Sequence, residues 1–130
     1  MRKKYKIITL LFVFTTAALL FSLMGDKEPI KKNEADYQVQ FCDKINGITE
    51  FILSDRSRVD CLTDDYAIEV DWAKKWAESI GQSLFYADMT NKKAGVALIV
   101  GEKDKRYLKR INRIAKKVKI KVFIIKRERD

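Results

Sequence analysis

The sequence predicts an α/β domain built on a mixed sheet of four or five strands, behind an N-terminal apolar segment. Three observations carry this. Short β-rich runs follow one another between tight turns over 49–71. Two helical periodicities then alternate with apolar runs over 72–125. A single long uncharged stretch precedes all of it.

The N-terminal stretch stands apart. Arg2, Lys3, Lys4 and Lys6 lead into 18 uncharged residues, Ile7 to Met24. A basic n-region before an apolar core is the layout of an export signal or a membrane anchor. A spanning helix needs about 20 apolar residues, with a range near 17–25. Leu23-Met24-Gly25 is a poor cleavage site, and no cysteine stands where a lipoprotein signal needs one. Residues 1–25 are therefore expected to be a signal peptide or an uncleaved anchor, with the basic end cytoplasmic and the domain exported. Residues 26–36, which hold the only proline, Pro29, are expected to be a linker. The domain is assigned to 37–126 and a charged tail to 127–130.

Each element has a local reason. Tyr37 to Asn46 predicts a helix ended by Gly47 as a left-handed cap. Thr49–Leu53, Arg58–Leu62 and Tyr66–Asp71 predict three strands, with turns at Asp55-Arg56-Ser57 and Thr63-Asp64-Asp65. Trp72 to Asn91 predicts a helix with Ala73, Ala77, Ile80, Leu84 and Ala87 on one stripe. That stripe packs either on the sheet or on the last helix. Gly95–Val100 is a continuous apolar run, hence a buried central strand. Asp104–Lys117 predicts a basic helix with Leu108, Ile111, Ala115 and Val118 on one face. Lys119–Ile125 predicts the last strand. The order is an α-β-β-β-α-β core with a helix and a strand added.

Composition restricts the chemistry. The chain has no histidine, which excludes Ser-His-Asp and Cys-His catalysis and His-ligated zinc. Two cysteines cannot close a four-cysteine zinc site. Cys42 and Cys61 lie in the exported part, where they form either one disulfide or two buried thiols. Any site must work through carboxylates, Lys, Tyr or backbone, and its metals would be oxygen-loving ions such as magnesium or manganese. No small-molecule cofactor is expected. The net charge of +9 is unevenly placed: +4 over 1–25, +1 over 26–32, −5 over 33–100 and +9 over 101–130. A basic end beside an acidic middle suggests a polyanion partner next to a cation site, or a solvated lysine-rich helix.

The acids are patterned. Asp60 and Glu69 lie on successive predicted strands joined by a short turn, which sets them opposite each other. Cross-strand neighbours stand about 4.5–5.5 Å apart at Cβ, so two carboxylates there repel unless something positive lies between them. Asp71, two residues after Glu69, shares its face.

Asp60, then Glu69-Val70-Asp71, then a helix bearing Gln82-Ser83-Leu84-Phe85-Tyr86, resembles the PD-(D/E)XK nuclease superfamily, including the QxxxY motif of some of its branches. The resemblance covers roughly 37–100. It implies metal-dependent cleavage of nucleic acid, with magnesium or manganese on Asp60, Glu69 and the Val70 carbonyl, and with Gln82 and Tyr86 supporting the site. Glu50 stands near where the superfamily has a helical Glu. The motif lysine is replaced by Asp71. Lys75, seven residues before Gln82 and on its helix face, is the candidate for a relocated lysine, and Lys74 the second choice. A noncatalytic secreted binding domain that keeps the nuclease fold is the alternative, and adhesion of the basic C-terminus to anionic lipid a third.

Full-length protein is expected to sediment with membranes through residues 7–24. A shortened, soluble form found only outside the cell would identify the segment as a cleaved signal.

Overall fold

The computed structural model describes residues 30–128, so the assignments for 1–25 and most of the linker lie outside the described residues. Helix α1 (Glu34–Lys44) leads to strands β1 (Ile48–Ile52), β2 (Arg58–Leu62) and β3 (Tyr66–Trp72). A 3-10 turn (Ala73–Lys75) opens helix α2 (Trp76–Thr90). Strand β4 (Lys93–Val100), a second 3-10 turn (Glu102–Asp104), helix α3 (Lys105–Ala115) and strand β5 (Lys121–Lys126) complete the order. The five strands form one sheet in chain order. The β1–β2 and β2–β3 pairs are antiparallel, while β3–β4 and β4–β5 are parallel. The predicted mixed α/β sheet is therefore observed with five strands.

The core has two sides. On one face α1 sets Tyr37 and Cys42 against Ile68, Val70, Ala97 and Ile99. On the other, α2 and α3 cover Val96 and Leu98 with Ile80, Ala87, Leu108 and Ile111. β4 is covered on both faces, which is why its sequence is apolar without alternation. Among the described residues no helix is long and apolar enough to cross a membrane.

Four local expectations are corrected. Helix α1 begins inside the assigned linker, at Glu34. The Asn33 side chain accepts from the Asp36 N–H at 3.0 Å while Asp36 accepts from the Asn33 N–H at 2.8 Å. This reciprocal cap satisfies two helix-end donors. At the other end Asn46, not Gly47, takes the left-handed conformation, with φ 54°. Gly47 is needed for closeness instead, because a Cβ there would overlap both sulfurs of a Cys42–Cys61 disulfide. Residues 127 and 128 are not a free tail: the Arg127 N–H donates to the Val100 carbonyl at 2.9 Å and the Glu128 N–H to the Tyr37 hydroxyl at 3.0 Å.

The fourth correction concerns α2. Its buried face is Ser79, Ser83 and Tyr86, at i, i+4 and i+7, while Leu84 is exposed. The serine hydroxyls donate to carbonyls of their own helix, Lys75 and Ile80, at 3.0 Å each. Such back-bonding lets serine sit in a core without a partner across the interface. Ala73, Ile80 and Ala87 belong to the cluster that includes Ile111 of α3. The inner part of the stripe thus packs on β4 and the last helix together, while Gln82 lies on the Tyr86 side.

The disulfide ties α1 to β2 across a 19-residue separation. A loop of that size corresponds to about 3 kcal/mol in the chain-entropy model. Cys42→Ala/Cys61→Ala is expected to lower the unfolding free energy by about that amount in urea melts at unchanged secondary structure. Two free thiols in exported protein would contradict the bridge.

Candidate active site in a gap between strands

The site begins as an interruption in the sheet. The β2–β3 ladder pairs Leu62 with Ala67 and Cys61 with Ile68. The next pair would be Asp60 with Glu69. Instead the Val70 N–H donates to the Asp60 Oδ2 at 2.8 Å, so a side chain takes the place of a backbone acceptor. The β1–β2 ladder also passes over this point, going from Thr49↔Cys61 to Phe51↔Val59. Glu50, skipped between them, has φ 56°, a left-handed conformation that costs a non-glycine residue energy. The Asp60 carbonyl accepts from Gln38 Nε2 at 3.1 Å. N–H and C=O of one strand residue face the same neighbouring strand, so the Val70 carbonyl faces this gap as well.

Four carboxyl groups meet here. Glu69 and Asp71 are 5% and 3% exposed, on the sheet face toward α2. Glu69 lies beside the Asp60 carboxylate, and the half-buried Glu34 beside Asp71. Burial, then the charges of Asp60 and Asp71, push Glu69 up to about 9. Burial, then the neighbouring Asp71 carboxylate, push Glu34 up to about 7. Burial raises Asp60 to about 6 against the opposing pull of the Val70 N–H. Glu69 Oε2 is buried with no N–H or O–H of another group donating to it.

Lys75 is drawn into this group, its ammonium standing 3.3 Å from Asp71 Oδ1. That contact raises the lysine's pKa. Asp71 also accepts from the Trp72 N–H at 2.7 Å, so its carboxylate is fixed while it holds the lysine. Tyr86 is buried on the α2 side, one helical turn from Gln82. Its pKa is pushed to about 12 by burial and then by the charges of Glu69 and Asp60.

The structure thus brings together Asp60, Glu69, Asp71, Lys75, Gln82 and Tyr86. Lys74 lies in a separate cleft beside Trp72. Glu50 reaches Asp60 electrostatically, but its carboxylate is occupied by Gln38 at 2.7 Å and Arg58 at 2.7 Å. Glu34 and Gln38 are the residues sequence reasoning missed. Their spacing of four, one turn into a helix capped by Asn33, is the signal that could have placed them on one face.

Among the described residues no group of three or more His, Cys, Asp or Glu side chains converges as a metal site. The donors in the gap nevertheless suit a hard cation bound by few protein ligands. Glu69 lies beside Asp60, Glu69 Oε2 lacks a donor, and strand geometry turns the Val70 carbonyl to the β2 side of β3. Magnesium characteristically keeps several waters and takes only one or two carboxylates. The chain matches no family model, no curated protein and no solved structure.

The raised carboxyls set a pH dependence. Glu69 binds a proton in the folded state up to about 9, against an ordinary value of 4.5. Between those values the folded state holds more protons than the unfolded chain, so stability falls as pH rises. The melting temperature in EDTA is expected to drop across this window, and Glu69→Gln to remove most of the slope. An unchanged slope in that variant would place the proton elsewhere.

Proposed function

We propose that this is an exported or membrane-anchored nuclease-like domain that hydrolyses phosphodiester bonds of nucleic acid with magnesium or manganese. The observation that carries the reading is the pairing of half-buried Asp60 with buried Glu69 in a break of the sheet, with one Glu69 oxygen that no donor reaches. A solvated hairpin face, the ordinary fate of such acids, would leave both exposed.

Asp60, Glu69 and the Val70 carbonyl would hold the cation, which supplies charge stabilisation at the scissile phosphate. The Val70 N–H orients Asp60. Glu69 gives up its proton when the site is loaded. Lys75 presents an ammonium at the rim, positioned by Asp71, and favours the negative charge that develops on the phosphate. Where the PD-(D/E)XK pattern has a lysine on the strand, this chain has an aspartate that tethers a lysine from the following turn. Gln82 and Tyr86 support the side of the cluster away from the rim.

The noncatalytic alternative has its own support. Like charge alone does not demand a metal here, because the raised pKa of Glu69 favours a proton that relieves the repulsion.

Manganese is expected to raise the melting temperature in a concentration-dependent way, since it binds the folded site and not the unfolded chain. Asp60→Asn and Glu69→Gln should abolish the shift, and both should end cleavage of single- and double-stranded substrates. Lys75→Ala should reduce the cleavage rate about 100-fold, typical for loss of one charge-stabilising group, while keeping the shift. A metal shift without cleavage would establish the binding-domain alternative. Neither shift nor cleavage would refute the enzyme.

A further inference from the structure

A second feature lies at the carboxyl ends of the three parallel strands. β3 ends at Trp72, β4 runs into the turn before Asp104, and β5 runs into Arg127. These residues line one cleft of about 490 Å³. Ligands of open α/β sheets characteristically bind in such crevices. Four cations contribute to its wall: Lys31, Lys32, Lys74 and Arg127. Lys32 is partly balanced by Glu128, and the Asp104 carboxylate accepts from the Gly101 N–H at 2.8 Å. The helix-starting residues Asn33 and Asp104 also border the cleft, which turns the positive ends of α1 and α3 toward it.

Planar groups stand among these charges. The Arg127 guanidinium lies 5.5 Å from the Trp72 ring centroid. Arg106 and Arg110 flank Tyr107 at 4.7 and 5.9 Å. Bases stack on arginine planes as they do on aromatic rings. From Tyr107 the exposed side of α3 continues with Lys105, Arg106, Lys109, Arg110 and Arg113. Chain neighbours join the cleft to the carboxylate cluster: Asn33 precedes Glu34, Asp71 precedes Trp72, and Lys74 precedes Lys75.

We infer that this cleft seats one unpaired nucleotide of a single-stranded nucleic acid, with its base against Trp72–Arg127 and Tyr107 and its phosphates on Lys31 and Lys74, the strand continuing along α3. The inference deepens the nuclease reading by naming its substrate as single-stranded, and it rests on that reading for the meaning of the neighbouring cluster. A cleft of this volume matches a small-molecule site. A duplex would have to release a base before one could enter. Cationic grooves with stacking planes are the means by which single strands are held without sequence preference.

The test is binding in EDTA, where no cleavage interferes. Full-length protein is titrated with labelled oligothymidylate, with the matching duplex, with thymidine monophosphate and with phosphatidylserine vesicles. Trp76→Phe leaves Trp72 as the only tryptophan, because the chain has two. Oligothymidylate is expected to quench that fluorophore and to bind at least about fivefold more tightly than duplex, the lower bound for one stacked base. Monophosphate should produce the same quench at much weaker affinity. Lys74→Glu and Arg110→Glu, both exposed, should each weaken the strand and reduce its salt dependence.

Equal affinity for duplex, an unquenched Trp72, or vesicle binding that alone responds to the two charge reversals would overturn the inference. Its failure is distinguishable from that of the hydrolysis reading. Metal-dependent cleavage with unchanged KM in Lys74→Glu and Arg110→Glu would leave the enzyme standing and remove the cleft. Strand binding with no metal effect would do the reverse.

Discussion

The hydrogen bond from the Val70 N–H to the Asp60 carboxylate organises this domain's chemistry. A regular antiparallel pair would have satisfied that donor with a backbone carbonyl and closed the sheet. A carboxylate in its place satisfies the same donor and also brings a negative charge into the sheet. The strands consequently separate at Asp60, and the pairing of β1 with β2 skips the same position. Gln38 compensates on the α1 side by donating to both the Asp60 carbonyl and Glu50. The gap is thus a built feature, with most of its polar groups accounted for and Glu69 Oε2 left over.

Gathering four carboxyl groups, two of them buried, is costly unless charge is removed or matched. This chain uses both means. Burial and neighbouring acids shift Glu69 and Glu34 toward their protonated forms, while Asp71 takes a lysine and a backbone N–H. A cation entering between Asp60 and Glu69 would replace a proton, not an empty space. On the proposed reading, metal binding would be coupled to proton release, and occupancy of the gap would depend on pH.

Helix α1 is the part that makes the cluster complete, and the disulfide is what attaches it. Cys42 pins the helix to β2 one residue after Asp60. The same helix then delivers Gln38 to the Asp60 carbonyl and Glu34 to Asp71. Gly47 permits the approach because a side chain there would meet the sulfurs. The rim of the cluster and the basic cleft share chain neighbours, so the two features are adjacent without sharing a functional side chain.

By itself the sequence determined the succession of elements. The three strands, the apolar β4 and the basic helix each follow from local period and turn chemistry, because those signals reside within a few residues. It also placed Asp60 opposite Glu69, since a short turn leaves little freedom of register. Lys75 could be nominated because helical spacing puts it on the face of Gln82. The tertiary structure decided what local pattern cannot contain. Glu34 and Gln38 join the site only because a disulfide docks their helix against β2. Ser79 and Ser83 become core because their hydroxyls bond carbonyls of the preceding turn, which widens the buried side of the helix beyond the apolar stripe. The gap at Asp60, and hence the unpartnered oxygen of Glu69, arises from a contest between a side chain and a backbone carbonyl for one N–H, which only the assembled sheet resolves.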